Sequence, residues 1–123
     1  LGDVYKRQLK PLAEKLEQVL NEAAGVAMHL GAIGLQGDLE LFLCNASTFL
    51  TMFAEMLIAW QLLMQAVVAQ KALEAGTSEE GFYTAKLETA KFYIDSVLPH
   101  TLVTADYLKT NPRVHLDFKH EWF

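Results

Sequence analysis

The sequence predicts an all-α fold: an antiparallel bundle of three long helices, the third kinked at Pro99 into a short fourth segment. Three observations carry this. Apolar residues recur at three- and four-residue steps through most of the 123 residues. Glycine, proline and capping residues fall between those periodic runs. The chain is 52% hydrophobic and only 20% charged, so it must bury a large apolar surface and cannot be disordered.

The first helix is predicted from Leu9 to about Leu30. Leu12, Leu16, Val19, Leu20, Ala23, Val26, Ala27 and Leu30 form one stripe, and Glu14, Lys15, Glu17, Gln18, Asn21 and Glu22 fill the other side. Pro11 is expected in the first turn, where its missing N–H does no harm. Gly31, Gly34 and Gly37 then predict a connection, since glycine loses the most backbone entropy in a helix.

Asp38 is placed to cap a second helix that runs to about Ala75 and ends at Gly76. Between Phe49 and Ala69 this helix has a single charge, Glu55. Phe49, Phe53, Met56, Leu57, Trp60, Met64, Val67 and Val68 make its widest stripe. Thr48, Thr51, Glu55, Ala59, Leu62, Ala66 and Ala69 make a face of smaller residues. A helix apolar on nearly every side belongs in the middle of a bundle or in a bilayer. Glu55, Gln61 and Gln65 within the apolar window, and the lack of a Lys/Arg cluster at either end, favour the bundle and no membrane.

Thr77 and Glu80 have capping-box spacing and open the third helix. Tyr83, Leu87, Ala90, Ile94 and Val97 lie on one stripe, with Phe82, Ala85, Thr89, Phe92 and Tyr93 beside it. Pro99 should kink or end this helix, Thr101 to Lys109 continue it, and Asn111-Pro112 stop it. Residues 111–123 read as an irregular tail.

Residues 1–8 are set apart. Asp3-Val4-Tyr5-Lys6-Arg7-Gln8 is what a common transposon-end adapter, GATGTGTATAAGAGACAG, encodes in one frame, so this stretch is expected to be a fusion artefact on a truncated reading frame. The domain is then 9–110.

Candidate chemistry is sparse. Ten Lys and Arg against fifteen Asp and Glu give a net charge of −5, which argues against nucleic-acid binding. One cysteine, Cys44, excludes an internal disulfide and a Cys-based zinc cluster. His29, His100, His115 and His120 are dispersed, and no metal motif is present. Gly31, Gly34 and Gly37 have spacing reminiscent of a phosphate loop but follow no strand. Glu55 stands out as a possible buried charge, and Lys86 or Lys91 is placed to pair with it. No catalytic, cofactor-binding or metal-binding residue is assigned.

The segment from Phe82 to Tyr93, followed by Leu98-Pro99, resembles the acetyl-CoA dehydrogenase-like C-terminal domain of bacterial acyl-CoA dehydrogenases. The family pattern F-x-x-A-K-L-x-x-A-x-F-Y is met by Phe82, Ala85, Lys86, Leu87, Ala90, Phe92 and Tyr93. Phe49-Leu50-Thr51-Met52-Phe53-Ala54 is similar to the family's Tyr-Leu-x-x-Phe-Gly run, with Phe49 for Tyr and Ala54 for Gly, and Ala59-Trp60 to its Gly-Trp. The resemblance covers about Leu9 to Leu108. It implies a parent flavoenzyme, cytoplasmic and a homo-oligomer, that binds FAD and oxidises an acyl-CoA across Cα–Cβ. Its base and flavin site would lie in domains upstream of this module. A branch acting on 3-methylmercaptopropionyl-CoA is included.

The motif's physics fits a structural role, the aromatics packing on the middle helix and Ala85 and Thr89 permitting close approach. The expected function is therefore packing, against the dehydrogenase core of the parent chain or a second protomer. Stripes on the first and third helices exceed what the bundle can hide, so an exposed apolar patch is expected. The competing expectation is a free-standing ligand-binding bundle with a pocket lined by Trp60, Met64 and Phe92.

Overall fold

A computed structural model describes residues 2–110 and 113–123, with side chains from Arg7 onward. Its elements are α1 (Gly2–Leu35), α2 (Leu39–Cys44), α3 (Ala46–Glu74), α4 (Glu80–Phe92), a π-helical turn (Tyr93–Val97), α5 (His100–Lys109) and a 3-10 turn (His120–Trp122). The class is all-helical, with no strand among the described residues.

α1 is longer than expected at both ends. It begins at Gly2, so Pro11 lies inside it rather than in its first turn. An interior proline leaves the carbonyl of residue i−4 without its partner. Both Pro11 and that residue, Arg7, are exposed, so water can take the place of the lost bond. Gly31 and Gly34 are helical too, and the connection shrinks to Gln36 and Gly37, the latter with φ 96°. Gly34 has a packing reason: a Cβ there would lie 3.3 Å from the Phe42 ring.

Asp38 caps α2 as expected, its carboxylate accepting from Leu41 N–H at 3.2 Å. The long second helix, however, is broken at Asn45. The buried Asn45 amide donates to the Leu41 carbonyl at 2.9 Å, and α3 starts afresh one residue later. This side-chain bond substitutes for a backbone rung, as asparagine commonly does at turns. Gly76, at φ 80°, ends α3. The capping box does not close: Thr77 N–H already donates to the Ala72 carbonyl at 3.3 Å, leaving nothing for Glu80 to reach. The Thr77 hydroxyl accepts from Glu79 N–H at 3.1 Å instead.

The irregularity expected at Pro99 begins earlier. Pro99 offers no N–H and its ring crowds the turn before it. The ladder therefore widens to π geometry, with Leu98 N–H donating to the Tyr93 carbonyl at 2.9 Å, and α5 follows with Pro99 as its first flanking residue. α5 ends at Lys109, and Asn111-Pro112, expected to stop it, lie outside the described residues. Leu1 lies outside them as well.

α3 is the hub, packed against α1, α4 and α5. Along α1 and α3, Leu9 lies near Val67, Leu16 near Met56, and Ala27 near Phe49. Lys86 of α4 meets Gln65 of α3, and Tyr93 of the π-helical turn meets Glu55 of α3. Two ion pairs tie α1 to the chain's later half: Lys15–Asp95, and Lys109–Glu22 at 2.8 Å. The core contains Leu12, Val19, Val26 and Leu30 of α1, Leu87 and Ala90 of α4, and Ile94, Leu98, Ala105 and Leu108 further on. The tail is anchored by Leu116 against that core and by Arg113 on Asp38. Asp117's hydrogen bond, foremost, and the charges of Asp38, Asp117 and Glu40 push the Arg113 pKa above its ordinary value, against the desolvation that would lower it.

Candidate functional site

The polar candidates resolve into structural contacts. Glu55 is half-buried, and neither lysine pairs with it. Lys86 Nζ donates to Gln65 Oε1 at 3.3 Å and sits 5.4 Å over the Phe82 ring, while Lys91 pairs with Glu88 at 3.1 Å. Glu55 is instead beside Tyr93, whose hydroxyl donates to the Glu55 backbone carbonyl at 3.3 Å. Burial pushes the Tyr93 phenol above its ordinary value, and the Glu55 charge pushes it the same way. Cys44 is half-buried and donates to the Leu41 carbonyl at 3.2 Å. Among the described residues no three His, Cys, Asp or Glu side chains converge as a metal site would require.

The motif residues, which run from α4 through the π-helical turn to Pro99, divide between a buried and an exposed side. Leu87, Ala90 and Leu98 are buried, and Lys86 and Tyr93 half-buried. Phe82, Ala85, Phe92 and Pro99 are exposed, Phe82 by 57% and Phe92 by 65%. The expectation that Phe82 and Phe92 pack on the middle helix is thus corrected. The stripe from Tyr83 through Leu87, Ala90 and Ile94 holds that position, because its aliphatic and small side chains let α4 approach α3 closely.

On α3 the buried residues are Met52, Met56, Ala59, Leu63, Ala66, Ala69 and Gln70; Ala59, Ala66 and Ala69 come from the face of smaller residues and Met56 from the widest stripe. Phe53, Leu57, Trp60, Met64 and Val68 point outward with Leu50, which is 66% exposed. α3 has helices on more than one flank, and Ala59, Ala66 and Ala69 let those axes approach closely. Most of the widest stripe is left outside these contacts. Trp60 and Met64 are therefore surface residues, not core. The exposed apolar residues lie chiefly on α3 and α4, the second and third expected helices, with Leu20 of α1 beside Leu57 and Trp60.

Shallow grooves flank the stripe. One of about 420 Å³ joins Leu9, Lys10 and Ala13 to Trp60, Met64 and Val67, and another of about 560 Å³ joins Ala27, Leu30 and Gly31 to Phe42, Phe49 and Leu50. On the α4 side, Met64 and Val68 share a groove with Phe82, Tyr83 and Lys86. Phe92 lines none of these with Trp60 and Met64, so the pocket of the ligand-binding alternative does not assemble. What assembles is an apolar face on α3 that meets α4 at Phe82 and Tyr83. Sequence periodicity could have flagged it through Leu50, Phe53, Leu57, Trp60 and Met64, spaced by alternating threes and fours.

The described residues define the class: an all-helical domain that carries an apolar outer face. The chain belongs to the family described as "Acetyl-CoA dehydrogenase C-terminal like", which it matches over residues 2–119. It is also 32% identical over 103 residues to the broad-specificity linear acyl-CoA dehydrogenase FadE5 of Mycobacterium tuberculosis (strain ATCC 25618 / H37Rv). That match covers 80% of this chain but 17% of the relative.

The family points to FAD, and the residues here do not build a place for it. Gly31 and Gly34 are locked in α1, where they offer no phosphate-binding loop. The grooves are lined mainly by apolar side chains, with Lys10 or Lys86 at their edges. A flavin's pyrophosphate needs several convergent donors.

Proposed function

We propose that this chain is the C-terminal packing and oligomerisation module of a larger, cytoplasmic, FAD-dependent acyl-CoA dehydrogenase of fatty acid metabolism. In this reading α1, α3 and the α4–α5 unit form an antiparallel three-helix bundle that docks on the dehydrogenase core of its own chain. Flavin and acyl-CoA chemistry belong to that core, and the module contributes no reacting group.

The observation that carries the reading is the exposure of Phe82 and Phe92, two of the motif residues on which the family resemblance rests. An exposed phenylalanine forfeits roughly 1.5–3 kcal/mol of available burial. A surface shaped to meet a neighbour recovers it. The family match and the 17% share of the relative support a longer parent chain.

The test is hydrogen exchange on the enzyme encoded by an uninterrupted copy of the gene, compared with the 123-residue chain. Amides of α4 around Phe82 and Phe92 should be more protected in the whole enzyme. Phe92→Asp in the whole enzyme should remove that extra protection. Equal exchange in both proteins, or a gene without a dehydrogenase upstream, would defeat the reading.

A further inference from the structure

The outer seam of α3 is an apolar feature that the core-docking reading, carried by Phe82 and Phe92 of α4, does not use. Leu50, Phe53, Leu57, Trp60, Met64 and Val67 are spaced 3, 4, 3, 4 and 3 residues apart, the pattern of a helix that packs knobs into holes on another helix. The first five are exposed, and Val67 is half-buried. This spacing reads the same in both directions. Two copies of α3 laid antiparallel therefore match without a register error. Leu50 meets the other copy's Val67, Phe53 its Met64, and Leu57 its Trp60. Each match sets a larger side chain against a smaller one, which is how facing layers interdigitate.

Charge favours the same pairing. The outward positions beside the seam are Ala54, Gln61 and Val68, all uncharged. The single charge between Ala46 and Gln70 is Glu55, and the two-fold pairing sets it opposite Leu62, not another carboxylate. No like charges are forced together along α3. Phe53 and Trp60, aromatics of a kind that covers ~150–250 Å² when buried, are 39% and 48% exposed, and with Leu50, Leu57, Met64, Val67 and flanking Leu20 the seam offers roughly 600 Å² per copy. Two copies would then bury roughly 1,200 Å², just above the ~1,000 Å² that a specific interface needs.

We infer that the α3 seam is the contact between two copies of this chain, packed antiparallel about a two-fold axis between Leu57 and Trp60. This deepens the packing role proposed above by naming what covers one of its faces. It fails separately from that role, because the isolated chain tests it. At this size the dimer is weak, dissociating in the micromolar range.

The experiment is sedimentation equilibrium of the 123-residue chain across micromolar concentrations. A monomer–dimer equilibrium is expected, with Leu57→Glu raising the dissociation constant at least ~100-fold, since it buries an unpaired charge on each side. In a Cys44→Ser background, Phe53→Cys with Met64→Cys should yield covalent dimers with a short bismaleimide. The two sites are ~16 Å apart within one helix, too far for such a linker to close internally. This second variant decides the matter if Leu57→Glu fails to fold. A chain that stays monomeric with a native circular dichroism spectrum overturns the inference. So does a dimer indifferent to both variants, or a monomer that floats with phosphatidylcholine–phosphatidylglycerol vesicles.

Discussion

Gly34 of α1 lies under the ring of Phe42 in α2, so close that a methyl group on Gly34 would stand 3.3 Å from two ring carbons. That contact folds α2 back against the end of α1. Gly31, one turn earlier, has nothing within 4 Å of the equivalent position. The two glycines thus differ in cause. Replacing Gly31 by alanine should stabilise the chain by ~0.5–1 kcal/mol, the ordinary gain for an interior helical site. Gly34→Ala should forgo that gain, because the ring must shift to admit it. Urea unfolding of the two variants at low protein concentration checks the difference. Equal stabilities would remove the packing role of Gly34.

Asp38 performs two tasks with its two oxygens. One accepts from Leu41 N–H to cap α2, and the other pairs with Arg113 to hold the tail. Asp38→Ala should cost ~1 kcal/mol or somewhat more, chiefly the lost cap. Asp38→Asn keeps an acceptor for the cap and loses only a pair whose side chains are 38% exposed. Such pairs contribute under ~1 kcal/mol and weaken with salt. The alanine variant should therefore be the less stable of the two, and raising the salt should narrow the gap between wild type and Asp38→Asn. Guanidine-free urea titrations at two salt concentrations measure both effects.

Tyr93 should make stability fall in alkali. Its folded-state pKa lies above the unfolded value of ~10, because burial and then the Glu55 charge disfavour the phenolate. Below pH ~10 the phenol is neutral in both states and its stabilisation is complete. As the pH climbs from there toward the raised value, the unfolded chain sheds its proton first and the folded state loses ground. Lysines titrate in the same range, so the comparison is with Tyr93→Phe. That variant should be less stable at neutral pH, having lost the bond to the Glu55 carbonyl, yet decline less steeply above pH ~10. Parallel profiles would show that Tyr93 ionises without penalty.

How much of this could be read in the sequence depends on the local contrast between faces. α1 alternates Leu and Val with Glu and Lys, and its stripe of Leu12, Val19, Val26 and Leu30 is buried as periodicity predicts. α3 lacks that contrast. With Trp60 on one side and Ala59 on another, both apolar, periodicity identifies a helix but not its inner face. The choice is made by neighbours on α1, α4 and α5 that the sequence does not display. The same holds for Phe82 and Phe92. The break at Asn45 was hidden because one side-chain amide, bonded to Leu41, interrupts an otherwise continuous apolar run.

The two faces of α3 give the sharpest test of the fold. Ala59 and Ala66 have no exposed surface and sit where α3 meets its neighbours. Leucine at either site adds three carbons to a filled interface, and overpacking typically costs 1–3 kcal/mol. Where neither helix can retreat, the cost exceeds that. Trp60 is the larger side chain by far, yet it is 48% exposed. Trp60→Ala in the monomeric chain should cost about 1 kcal/mol or less, since the groove beside it is already open to water. A buried tryptophan would instead cost ~3–5 kcal/mol on truncation. The measurement is chemical denaturation of Ala59→Leu and Trp60→Ala, at concentrations too low for association. If truncating Trp60 proves the more damaging change, the aromatic stripe is the core and the small-residue face is the surface, and the apolar docking face across α3 and α4 does not exist.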